Sequence, residues 1–154
     1  KRNTIIMIKI GDKAPEINSI DQNGEKITLK QFLGKKIILY FYPKDMTPGC
    51  TAQSCNLRDN YQQLLDSGYV VLGCSADSPE KHQKFIEKYD LPFPLISDQS
   101  KEVLNQYGVW ALKKFMGKEY MGILRTTFVI DENGIIEDII TKVKTKEHTS
   151  QILR

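Results

Sequence analysis

The chain has 154 residues, 22 basic and 19 acidic side chains, a formal net charge of +3 and 40% hydrophobic residues. That is enough for one domain burying about two-thirds of its surface. No segment approaches the ~18 uninterrupted apolar residues of a membrane span, and lysines interleaved with acids, clustering only at Lys142, Lys144 and Lys146, argue against a nucleic-acid footprint. Three cysteines do not make a disulfide framework, so a reducing, cytoplasmic setting is expected. The basic start of residues 1–10 has too short an apolar part for a signal peptide. Met7 is a plausible natural start, which makes residues 1–6 an expression remnant or upstream extension and assigns the single domain to 7–154.

In chain order, residues 17–29 enclose Asp21, Gln22, Asn23 and Gly24, a turn between two short apolar stretches, and predict an N-terminal β-hairpin at one edge. Residues 31–33 predict one helical turn ended by Gly34. The apolar run 37–42 reads as a buried strand that Pro43 stops, because proline cannot donate to a ladder. Thr47 and Pro48 then read as an N-cap and a proline at the first helical position, and the helix they open stops at Ser67 and Gly68. Residues 69–75 predict a second buried strand, which a helical connection makes parallel to the first with a right-handed crossover. Ser78 and Pro79 open another helix with Phe85, Ile86 and Tyr89 on its apolar stripe. Residues 91–96, bracketed by prolines, read as an edge segment, and 100–107 as a short helix stopped by Gly108. Residues 109–122 form a long connection, of a length that is usually functional. Residues 125–130 and 135–141 flank Asp131, Glu132, Asn133 and Gly134 as a hairpin, and a last helix is expected from about Lys146. The fold class is α/β: a mixed central sheet with helices on both faces, the thioredoxin-like arrangement. Sites in such sheets lie at the carboxyl ends of parallel strands, where the turn after residues 37–42 delivers Cys50.

Cys50 falls in the first turn of its helix. Unpaired backbone N–H groups and the positive end of the helix dipole stabilise an anion there, and the thiolate is the nucleophilic form of cysteine. The stretch therefore reads as a thiol redox site, against the alternative of a small buried hydrophobe. Cys55 lies five residues on, rotated by about 140° with its Cα roughly 8.6 Å from that of Cys50 on a regular helix. That exceeds the ~7 Å limit for a disulfide, so the two can bond only if the turn unwinds. Cys50 shares the stripe of Leu57, Tyr61 and Leu64 and faces inward; Cys55 points elsewhere.

The pattern Pro43-x-x-x-Thr47-x-x-Cys50 resembles the active-site signature of the peroxiredoxins, and the added Cys55 resembles their bacterioferritin comigratory protein (peroxiredoxin Q) subfamily. Gly11 to Pro15, Ser78 to His82 and Arg125 to Asp131 resemble it too, so the likeness covers about residues 8–140. The resemblance implies a cofactor-free thiol peroxidase that reduces hydrogen peroxide and alkyl hydroperoxides. Within it, Cys50 is the peroxidatic cysteine and Cys55 the resolving one, Thr47 is the hydroxyl facing sulfur and peroxide, Arg125 the cation, and Pro43 the wall. It further implies an intramolecular disulfide reduced by a thioredoxin-like partner, with a monomer as the working unit.

Each residue has a plainer alternative. Thr47 can be a cap alone, Arg125 a surface ion-pair partner and Cys55 a spectator. Gln53 either helps position the site or faces solvent, and Arg58 is either a second local cation or half of a surface pair. Cys74, in a buried strand, reads as inert core. His82 reads as a packed, hydrogen-bonded residue and His148 as a helix-surface one. Two separated histidines and three cysteines lack metal-ligand spacing, so no metal is expected. Two rival functions stay open: a thiol-disulfide oxidoreductase, weakened because Cys50 and Cys55 are not a C-x-x-C pair, and a redox-sensing interaction protein.

Overall fold

The computed structural model describes residues 8–154, and the expectations for residues 1–6 and for Met7 as the start lie outside them. The N-terminal hairpin forms as expected, with β1 (Asn18–Ile20) antiparallel to β2 (Lys26–Thr28) across the turn at residues 21–24. A 3₁₀ turn, Leu29–Phe32, follows. The central strand β3 (Lys36–Phe41) then pairs in parallel with β4 (Tyr69–Ser75). Alternation along β3 fills both faces of the sheet. Ile37, Leu39 and Phe41 join one core cluster, and Ile38, Tyr40 and Tyr42 the other. Burying side chains of this size contributes about 1.5–3 kcal/mol each.

Two helices connect β3 to β4 where one was expected. Helix α1 (Pro48–Asp59) ends at Asn60, and α2 (Tyr61–Asp66) begins beyond it. The cause is local: the Asn60 side-chain amide donates to the Asn56 carbonyl at 2.8 Å, occupying the acceptor that the next helical N–H would use. Helix α3 (Pro79–Tyr89) has Ser78 as a true cap, its hydroxyl accepting from the Lys81 N–H.

Strand β5 (Leu95–Ser97) is interior, which corrects the edge assignment for residues 91–96. Its prolines lie before the strand, so β4 pairs with one side of it while β1 covers the other through Ile20 and Ser97. Helix α4 (Glu102–Gln106) packs Val103 and Leu104 into the same cluster as Phe41.

The long connection is also corrected. Residues 109–122 are mostly a hairpin of β6 (Trp110–Phe115) and β7 (Lys118–Ile123), a separate two-stranded sheet. Met116 and Gly117 both have positive φ, 52° and 80°, as a tight two-residue hairpin turn requires. Strands β8 (Thr126–Ile130) and β9 (Ile136–Ile140) form the expected late hairpin, and α5 (His148–Leu153) closes the chain. The seven-stranded order is β2-β1-β5-β4-β3-β8-β9. It is a mixed sheet of thioredoxin-like arrangement, with apolar clusters on both faces. Among the described residues, no helix is long and apolar enough to cross a membrane.

Candidate active site

Cys50 is the third residue of α1 and fully buried, one turn beyond the carboxyl end of β3. Pro48 occupies the first helical position, and the Thr51 N–H closes the first turn on the Thr47 carbonyl at 2.9 Å. Thr47 stands at the N-cap by backbone position, but its hydroxyl does not cap the helix. It donates backward to the Lys44 carbonyl at 2.8 Å, tying the turn before the helix. The first-turn N–H groups near Cys50 are thus left free of a capping side chain.

Arg125 immediately precedes β8 and reaches the sulfur. Its Nη2 donates to Cys50 Sγ at 3.3 Å and its Nη1 to Gln53 Oε1 at 2.7 Å. Gly49 eases the approach, because a Cβ there would lie 3.3 Å from Nη2 and would push the guanidinium by a few tenths of an ångström. Gln53, left open between positioning and solvent, is fully buried, and its Nε2 has no partner among the described residues. Beneath the helix the Tyr40 hydroxyl and Ser54 Oγ bond at 2.9 Å, and burial pushes the Tyr40 phenol well up. Pro43 lines a cleft of about 390 Å³ together with Lys44, Trp110, Tyr120 and Met121, so the β6–β7 hairpin faces the start of the segment that leads from β3 to α1.

All three cysteines are free thiols. Cys55 is half-buried; burial pushes its thiol up while the Arg58 guanidinium pulls it down. Arg58 therefore serves Cys55 electrostatically, and it bonds the adjacent Asp59 at 2.8 Å and the Tyr89 carbonyl at 2.7 Å. Cys74 is buried in β4, where burial, reinforced by Asp98, pushes its thiol well up, as suits an inert core residue.

The two histidines differ. His82 is fully buried and hydrogen-bonded, with Nδ1 2.6 Å from Asp45 Oδ2 and Nε2 3.0 Å from the Ile96 carbonyl. His148 is also fully buried, which corrects its assignment to the surface. It opens α5, and its Nε2 accepts from the Thr127 hydroxyl at 2.8 Å while Nδ1 donates to Gln151 Oε1 at 2.9 Å. Nothing in its local sequence signals this, because the burial comes from packing between elements. Sequence reasoning also passed over Asp45 and Asp77, which lie with His82 in one cluster whose ligand-type atoms are within 4.8 Å of one another. Those atoms are engaged with each other, with Tyr42 and with Ser75.

The AhpC/TSA family matches the chain over residues 10–139. The chain is similar to Peroxiredoxin Bcp of Escherichia coli, 49% identical over 146 residues covering 95% of this chain and 94% of that one. Its identity to Peroxiredoxin Bcp of Bacillus subtilis is 47% over 147 residues, covering 96% and 94%. Among solved structures, Peroxidoxin BcpB from Mycobacterium tuberculosis superimposes with a TM-score of 0.84 at 34% identity, covering 95% and 94%. A bacterioferritin comigratory protein of Xanthomonas campestris, described for its alkyl peroxide reduction activity, superimposes with a TM-score of 0.83 at 31% identity, covering 89% and 87%.

Proposed function

The chain belongs to the AhpC/TSA family as a peroxiredoxin of the Bcp type, a thiol peroxidase, and from that premise we propose how its residues divide the work. The Cys50 thiolate attacks one peroxide oxygen. An S–O bond forms, the O–O bond breaks, and the departing oxygen takes a proton to leave as water or alcohol, with Cys50 as sulfenic acid. The observation that carries this reading is the Arg125 guanidinium 3.3 Å from a fully buried sulfur in the first turn of a helix. A permanently charged group there stabilises the thiolate and the charge that develops on the leaving oxygen. The Thr47 hydroxyl, whose hydrogen goes to the Lys44 carbonyl, offers its lone pairs to the O–H of an incoming peroxide, and Pro43 walls the cleft it shares with the β6–β7 hairpin.

Cys55 is the resolving thiol. Its sulfur attacks the sulfenic sulfur, an S–S bond forms and water leaves, after the first turn of α1 has melted. A thioredoxin-like dithiol then reduces the disulfide by exchange, and one chain completes the cycle as a monomer. Hydrogen peroxide and alkyl hydroperoxides are the substrates, in keeping with the alkyl peroxide reduction described for the Xanthomonas protein.

The test is peptide mass spectrometry of reduced protein given one equivalent of hydrogen peroxide for a second or less, with thiols then blocked. A dominant disulfide between Cys50 and Cys55 is expected. A persistent sulfenic acid at Cys50 removes Cys55 from the cycle, and unreacted thiols sink the assignment of Cys50.

A further inference from the structure

Beneath the turn that delivers Cys50 lies a buried polar cluster that the steps above do not use. We propose that His82 is a positioning residue for the peroxidatic turn, acting through Asp45 by a proton shared between His82 Nδ1 and Asp45 Oδ2. The inference rests on the roles given above to Cys50 and Thr47.

Hydrogen-bond partners define the protonation. His82 Nε2 faces the Ile96 carbonyl at 3.0 Å, a group that only accepts, so Nε2 carries a hydrogen. Nδ1 faces a carboxylate oxygen at 2.6 Å, where two lone pairs cannot face each other, so a second proton lies between them. The other oxygen of Asp45 accepts from the Tyr42 hydroxyl at 2.6 Å. The Asp45 backbone N–H donates to Asp77 Oδ2 at 2.9 Å, an oxygen that the Ser75 hydroxyl also reaches at 2.7 Å. Asp45 is thereby tied to the residue after β3, to the end of β4 and to α3 at once. The charged and titratable groups around the pair are Tyr42 just after β3, Asp77 after β4, and Lys44, Lys81 and Lys84 on the solvent rim.

The next residue shows what that anchorage is for. Met46 has φ of 70°, the left-handed region that a side chain disfavours, and its side chain is exposed. No burial of its own holds it there. The strain is held by the fixed Asp45 before it and by the bond from the Thr47 hydroxyl to the Lys44 carbonyl after it. His82, 37 residues away from Asp45 in sequence, thus sets where Thr47 and the start of α1 stand.

The experiment has two arms on the full reduced chain. In the first, ¹⁵N NMR of the wild-type imidazoles at neutral pH should show both nitrogens of His82 protonated or sharing a proton; a bare ring nitrogen overturns the proposal without need of any variant. In the second, His82→Leu should slow oxidation of Cys50 by hydrogen peroxide by about 10- to 100-fold. Alkylation of Cys50 by iodoacetamide should stay within about twofold, and His82→Gln, which can still donate to Asp45, should recover most of the loss. An unchanged peroxide rate in folded His82→Leu, or equal slowing of both reactions, overturns it. A wild-type Cys50 inert to peroxide would instead overturn the proposed function, and the wild-type control separates that result from failure of the positioning role.

Discussion

Arg125 Nη2 donates to Cys50 Sγ at 3.3 Å, joining the residue before β8 to the first turn of α1 across 75 positions of sequence. Its other terminal nitrogen is held by Gln53, so the guanidinium is aimed rather than merely near. Replacing it by methionine removes the cation and both donors. The rate of Cys50 oxidation by peroxide should fall about 10²- to 10³-fold, the loss typical of removing one preorganised donor at a developing charge. Arg125→Lys should recover little, because one ammonium cannot bond Gln53 and the sulfur together. Stopped-flow peroxide kinetics decide it, and a lysine variant near wild-type speed would show that charge alone suffices.

Gln53 carries a built-in mismatch: its Oε1 accepts from Arg125 while its Nε2 is buried without a partner among the described residues. An unmade buried donor costs about 1–3 kcal/mol, similar to or larger than the ~0.5–1.5 kcal/mol a typical hydrogen bond contributes. Gln53→Met should therefore leave stability within about 1 kcal/mol of wild type while freeing the guanidinium to wander. The expected result is an unchanged urea midpoint with a peroxide rate lower by about tenfold. Parallel loss of both would mean that the side chain serves the fold and not the aim of Arg125.

Local signals made much of this legible. Pro43, Thr47 and Pro48 bracket a strand-to-helix turn whatever surrounds them, so the placement of Cys50 follows from backbone chemistry alone, and the alternation of β3 reads directly as a two-sided core. The hairpin of residues 110–123 escaped because its apolar side chains, such as Leu112 and Phe115, are exposed and interrupted by lysines, so no buried face marks its period. Asp45 carries no local signal of its own, and His148 reads from its neighbours as a helix-surface residue. Their partners, His82 and Thr127, lie 37 and 21 residues away, and only the folded sheet brings them together.

His148 should make stability depend on pH. Burial is the main cause that pushes it below its ordinary value, with the Arg125 charge adding to it and Gln151 opposing. The unfolded chain then takes up the proton at a higher pH than the folded one. This contribution is fully present above the ordinary histidine value of about 6.5 and is lost as pH falls through the lower folded value. Protonation also removes the lone pair to which the Thr127 hydroxyl donates at 2.8 Å. Urea midpoints should decline below neutral pH in the wild type and more shallowly in His148→Gln. Equal slopes would place the acid sensitivity elsewhere.

Asn56, the residue after Cys55, fastens the last helix to the first. Its Oδ1 accepts from the Thr149 N–H at 2.8 Å and its Nδ2 donates to the Lys146 carbonyl at 2.9 Å, while its own carbonyl accepts from the Thr149 hydroxyl at 3.3 Å. In the proposed cycle Cys55 reaches Cys50 once the first turn of α1 has melted, and this clasp would resist any melting that spreads past Cys55. Asn56→Ala removes two side-chain hydrogen bonds and should cost about 1–3 kcal/mol of global stability. Its kinetic effect should have the opposite sign for one step only. Conversion of the Cys50 sulfenic acid to the disulfide should accelerate severalfold, because opening costs less, while the preceding attack on peroxide, made in the closed helix, keeps its rate. Quench-flow mass spectrometry resolves the two steps. A less stable variant with an unchanged resolution rate would mean that melting stops before residue 56, and that the clasp guards the fold without governing the cycle.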